Sequence, residues 1–218
     1  KKNVVLNLNG HVLNRGLTAT QTEHGSVIEV LAGGELTIED NDKTLEHEGY
    51  VDAKGLWHIG SGSGTPLTIK GGAITGGVGT NCTDLDNKYR GGGIRVQGEL
   101  VLAGGSIIGN TTKNGGGGIS VAANAKFTLV DGTIAYNTSY GYGGGVCVNS
   151  TDGLSGTFTM TGGQISENVA YKTNDAEYDL KGNGGGVFVD DVFNMFGGVI
   201  CNNKSDGYGA GVYIADDD

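Results

Sequence analysis

GGGIRVQGELVLAGGSIIGN occupies residues 91–110, and its reading decides the fold. Its parts return as GGGIS from Gly116, as GGGVCV from Gly143 with TFTMTGGQISEN (157–168), and as GGGVFV from Gly184 with FNMFGGVICNN (193–203). One such unit is too short to bury a core alone, so the units must stack and share one. Aligned, they show three short strands each. A Gly-rich strand carries Ile94 and Val96, Ile119 and Val121, Val146 and Val148, Val187 and Val189, Val212 and Ile214. A second strand carries Leu36 and Ile38, Leu67 and Ile69, Leu100 and Leu102, Phe127 and Leu129, Phe158 and Met160, Phe193 and Met195. A third centres on Ile74, Ile107, Ile134, Ile165 and Ile200. The two-residue spacing within each pair puts both side chains on one face of a strand.

Working outward, Leu6, Leu8 and Leu13 match Leu67, Ile69 and Ile74, while Ile28–Val30 and Trp57–Ile59 match the Gly-rich strand. No helical period intervenes. The expectation is an all-β chain, a parallel β-helix of about eight turns with three short strands per turn, repeating roughly every 25–41 residues and forming a single domain over 1–218. Three residues beyond the third-strand aliphatic stand Asn110, Asn137, Asn168 and Asn203, with Gly16 and Gly77 at the equivalent earlier positions. Stacked amides there predict a structural hydrogen-bonded ladder beginning at Asn110. Length varies between the third strand and the next Gly-rich strand, at 78–90, 111–115, 138–142, 169–183 and 204–208, where insertions leave stacking intact.

Composition narrows the class. Glycine supplies 44 of 218 residues, but without a three-residue period and with one proline, which excludes collagen. The net charge of −10 speaks against a nucleic-acid partner, and no apolar run long enough for direct membrane insertion is present. Cys82, Cys147 and Cys201 form no CxxC pair, and Cys147 and Cys201 fall in different strand types, so three unpaired thiols are expected.

LNLNGHVL near the start, ELTIED, and the GGGIxV–L–GGxIxGN units resemble the right-handed parallel β-helix repeats, of pectin-lyase-like fold, found in adhesin-like secreted or wall-attached proteins of gut Firmicutes. The resemblance implies an extracellular setting, a larger parent protein of which this chain is a fragment, and a glycan or host surface protein as partner. Its matching positions are scaffold residues and imply no chemistry.

The same fold hosts polysaccharide lyases and glycoside hydrolases, the alternative function. A hydrolase needs converging carboxylates. Asp190 and Asp191 are the one paired Asp within a repeat, and no Gly-His-Gly or Arg-Ile-Lys accompanies them, so a turn role is expected and no catalytic residue is assigned. A lyase needs calcium and a base. Arg95 sits mid-strand, with Glu29, His58, Ser120, Cys147, Phe188 and Tyr213 as its counterparts, which form no acidic column. Calcium, the one cofactor entertained, would take Asp84 and Asp86, or Asp175, Glu177 and Asp179. The four histidines read as surface or turn residues. Tyr89, Tyr140, Tyr142, Tyr171, Tyr178 and Tyr208 collect in the third-strand loops and are the candidate contact surface. Thr37, Thr68, Val101, Thr128, Thr159 and Asn194 make one interrupted outward rank, short of the two ranks an ice-binding face needs. The expected function is a non-catalytic surface module, adhesive or a rigid stalk.

Overall fold

The computed structural model describes residues 2–19, 23–80, 90–151, 154–173 and 180–216, and among them the ordered elements are all strands. The Gly-rich strands Ile28–Val30, Ile94–Val96, Ile119–Val121, Val146–Val148, Val187–Val189 and Val212–Ile214 stack into one wholly parallel six-stranded sheet. The second strands stack in a further parallel column, from Lys2–Asn7 through Gly34–Glu39, the first halves of Glu99–Ile108 and Lys126–Ala135, then Thr157–Met160 and Val192–Met195. The third column runs from Val12–Asn14 through Ala73–Thr75 to Gln164–Ser166 and Val199–Cys201. The chain is a parallel β-helix.

Register makes the core. Leu36, Leu100, Phe127, Phe158 and Phe193 lie in line, with Ile38, Leu102, Leu129, Met160 and Met195 beside them. The three phenylalanine rings stack at 4.8 Å per step, near the ~4.8 Å rise that a parallel ladder imposes. Ile74, Ile107, Ile134, Ile165 and Ile200 close the third side. Inward residues of the middle levels are fully buried, while Met195, with no further second strand stacked on it among the described residues, is 46% exposed.

Among the described residues each of the three columns has six strands, which make five complete levels and two partial ones, seven where the sequence suggests about eight. The difference lies in 40–72, read from sequence as one further turn. Trp57–Ile59 is not a Gly-rich strand: it pairs antiparallel with Gly49–Val51, which also pairs antiparallel with Thr65–Pro66. Ile69–Lys70 pairs antiparallel with Glu46–His47, so Leu67, Thr68 and Ile69 are not a second strand and Thr68 leaves the outward rank. This excursion leaves the second strand at Asp40 and returns to the third strand of the same level. Alternation of apolar and polar residues marks any strand, parallel or antiparallel, and LTIKGGAIT imitates a repeat unit. One match shifts with it. Leu6 pairs with Ile38, and Val4 takes the place opposite Leu36, while Leu13 still pairs with Ile74.

The excursion has its own small core. Trp57, 1% exposed, packs with Ala73 and Ile108 against Val12, Val51, Leu67, Ile69 and Tyr136, so the excursion covers the outer face of the third column. Asp40 ties the start of the excursion to its end and to the level before it, accepting from Gly72 N at 2.8 Å and from Gly10 N at 2.6 Å. Gly109 has φ +66°, and a Cβ there would collide with the Trp57 carbonyl, so the crossing needs glycine.

A fourth short column occupies what the sequence suggests is loop: Thr111–Thr112, Thr138–Ser139, Val169–Ala170 and Lys204–Ser205 pair in parallel. Between it and the third column lies the amide ladder. Asn110 Nδ2 donates to Asn137 Oδ1 at 3.1 Å, Asn137 Nδ2 to Asn168 Oδ1 at 3.0 Å, and Asn168 Nδ2 to Asn203 Oδ1 at 2.9 Å. Each oxygen also accepts the backbone N–H of the asparagine below it. The residue before each ladder asparagine is left-handed: Gly109, Tyr136, Glu167 and Asn202 have φ between 50° and 66°.

The GGG triplet is explained by the same stacking. In residues 116–118, Gly116 has φ +70°. A Cβ on Gly117 would strike the Gly144 carbonyl of the next level, and one on Gly118 would lie 3.1 Å from the Asn137 ladder amide.

Candidate binding surface

The four described tyrosines of the candidate set, Tyr140, Tyr142, Tyr171 and Tyr208, do not share one edge. Tyr140 and Tyr171, on successive levels just beyond the fourth column, stack at 5.7 Å. The excursion reaches them. Lys54 Nζ lies 5.5 Å from the Tyr140 ring centre and donates to the Tyr140 hydroxyl at 3.1 Å, while the Tyr171 hydroxyl donates to the Lys54 carbonyl at 3.0 Å. The hydrogen bond to Tyr140 raises the Lys54 pKa, so the ammonium stays charged. Burial, with the neighbouring Tyr140 phenol and Asp206, raises the pKa of Tyr171, which therefore stays a neutral donor. Both rings are half-buried, which leaves part of this aromatic and cationic cluster facing water.

Tyr142 belongs to a second stack. It covers the outer face of the Gly-rich sheet, 4.5 Å from Phe188, which stacks on Tyr213 at 5.6 Å, and Tyr213 meets Tyr208 at 6.5 Å. Phe188 is buried there, which makes Tyr142 a packing residue, whereas Tyr208 is 73% exposed. Tyr89 and Tyr178 lie outside the described residues, as do Cys82 and all five candidate calcium ligands, Asp84, Asp86, Asp175, Glu177 and Asp179.

The Gly-rich column places Glu29, Arg95, Ser120, Cys147, Phe188 and Tyr213 outward in register. His58 is not among them: it pairs with Tyr50 in the excursion, stacks on it at 5.0 Å and meets Asp52 Oδ2 at 3.0 Å. Burial pushes the Asp52 carboxyl up, but hydrogen bonds from His58 and from the backbone of Leu56 and Lys54 outweigh it, and the net shift is down. Cys147 is fully buried on the Gly-rich sheet and Cys201 half-buried in the third column, so these two free thiols sit on different faces. Burial pushes the Cys147 thiol up to about 11 against the pull of Arg90.

Asp190 accepts from Ser150 N at 3.2 Å and Oγ at 2.9 Å. With Asp191, Ser155, Leu154 and Ile214 it lines an open groove of about 410 Å³. Among the described residues no three His, Cys, Asp or Glu side chains converge.

Lys54 was missed from sequence. The signal was present but unread: DAKG at 52–55 is a turn sequence inside a stretch taken for a repeat unit. No family model, no curated protein and no solved structure matches the chain.

Proposed function

We propose that the chain is a non-catalytic module of an extracellular bacterial surface protein. In this reading it is a stiff spacer that displays a contact surface on its corner loops and on the excursion at 40–72, and its solenoid is right-handed like the repeats it resembles. The observation that carries the proposal is the stacked pair Tyr140–Tyr171 with Lys54 over it. Two tyrosine rings from successive levels, locked by a segment far away in sequence, offer a pre-ordered aromatic platform with a fixed cation and hydroxyls. Such a platform suits a sugar ring or an amphipathic protein loop, and little side-chain entropy remains to be lost on contact. The spacer role draws support from the buried polar groups. The ladder amides hold backbone across levels, and stacked levels held in this way resist bending.

A glycan and mucin array probed with the wild-type chain and with Tyr140→Ala/Tyr171→Ala tests the contact surface. Binding by the wild type that falls at least about tenfold in the double variant is expected, since buried aromatic anchors carry ~2 kcal/mol or more. Undiminished binding by the double variant would remove this surface from the account.

A further inference from the structure

Among the described residues Arg90 is the one cationic side chain in the buried set, at 9% exposure. Its backbone is well held. The N–H and carbonyl exchange hydrogen bonds with Thr80 at 2.9 and 3.0 Å, and the residue lies beside Gly115 of the next level. Its side chain is not: Nε and Nη1 are both buried and neither donates a hydrogen bond. A guanidinium is always charged and carries five N–H donors, so burying two of its three nitrogens without partners costs several kcal/mol.

The neighbourhood supplies little compensation. The column Arg90, Gly115, Tyr142 has no side chain at its middle place, and a Cβ on Gly115 would stand 3.0 Å from Cys147 Sγ. The Cys147 thiol hydrogen-bonds Asn149 Oδ1 at 3.4 Å, and Asn149 Nδ2 donates to Ser120 Oγ at 3.2 Å, so this chain of groups is polar but carries no charge of its own. Glu29 already accepts from the Thr80 hydroxyl and meets His24 at 3.3 Å. Asp190 is engaged by Ser150.

We propose that Arg90 holds a small oxyanion on the outer face of the Gly-rich sheet, beside Gly115 and the Cys147–Asn149–Ser120 chain. The ligand class is an inorganic sulfate or phosphate, or the carboxylate of a sugar acid, each of which matches the planar donor set of a guanidinium. This site is separate from the tyrosine platform and does not rest on the reading given above.

Thermal melts followed by circular dichroism, at constant ionic strength set with sodium chloride, test it. Sodium sulfate, sodium phosphate and galacturonate are titrated separately, and the first two against the third distinguish the inorganic from the sugar-acid source. The expected result is a saturable rise in Tm, roughly 5 °C or more at a hundredfold excess over Kd, with at least one of the three. Arg90→Gln abolishes the rise and Arg90→Lys reduces it. Saturation separates this from the general salting effect of sulfate, which keeps growing with concentration. A wild-type Tm that is flat in all three anions overturns the proposal, and so does an equal rise in Arg90→Gln. Should Arg90→Gln not fold, the wild-type titration and Arg90→Lys still decide.

Discussion

Replacing Asn137 by alanine removes the middle of the amide ladder. Asn137 is fully buried and its side chain works in both directions. Its Oδ1 accepts from Asn110 N at 3.0 Å and from Asn110 Nδ2 at 3.1 Å, and its Nδ2 donates to the Ile107 carbonyl at 2.9 Å and to Asn168 Oδ1 at 3.0 Å. Alanine leaves the Asn110 N–H and the Ile107 carbonyl without these partners in a place closed to water. Each buried group left unsatisfied costs about 1–3 kcal/mol, so the variant should lose about 4 kcal/mol. For a chain of this size that is a fall in Tm of about 8–16 °C. Asn203→Ala removes the same set of bonds at the last level, to Asn168 N and Nδ2 and to the carbonyls of Ile165 and Cys201. Its surroundings are open, since Asn202, Gly209 and Gly211 beside it are exposed, and water can replace the amide. That variant should lose about 1–2 kcal/mol. Urea unfolding of both, with the m-values compared to confirm one transition, is the assay. Equal losses in the two variants, or a loss below about 1 kcal/mol for Asn137→Ala, would refute the reasoning that burial of the ladder sets its worth.

Three further outcomes follow from other parts of the structure. Gly109→Ala places a methyl against the Trp57 carbonyl and adds about 1–2 kcal/mol of left-handed strain, so the excursion should lift off. Trp57 is the chain's one tryptophan, and a red shift and gain in quenching of its emission, with strand circular dichroism kept, is the readout. Glu167 stands at φ +58°, and Glu167→Gly should be stabilising or neutral by up to about 1 kcal/mol in urea melts, whereas Glu167→Val should destabilise. The Cys147 thiol has a folded pKa raised to about 11 from 9.0, so the unfolded chain ionises first. Its contribution is intact below pH ~9 and is lost as pH rises toward ~11, about 2–3 kcal/mol in all, and Cys147→Ala should flatten that part of the stability–pH curve.

Much of this fold was legible because a stacked repeat writes its register into the chain. Ile94, Ile119, Val146 and Val187 align in sequence for the same reason they align in space: each is the floor of the next. Asn110 was foreseen as the start of the ladder because Gly77 holds the equivalent place one level down, and the structure has Gly77 N donating to Asn110 Oδ1 at 3.1 Å. The excursion was illegible for a physical reason. Leu67 and Ile69 alternate like Leu36 and Ile38, and alternation reports that one face is buried without saying against what. Trp57 was the available hint, being a large aromatic at a place where every aligned residue is Ile or Val. The contact surface was half legible. Tyr140 and Tyr171 were found from their place in the loops, but Lys54 lies 86 residues before Tyr140 and only the folded excursion joins them.

The most direct test of the account is for chemistry. The purified chain is incubated with polygalacturonate, alginate and pectin, with and without calcium, and the mixture is followed for absorbance of unsaturated uronates and for new reducing ends. Neither product should form above a heat-denatured control. Steady formation of either, at a rate that scales with protein concentration, would contradict a non-catalytic module and turn attention to the groove that Asp190 and Asp191 line.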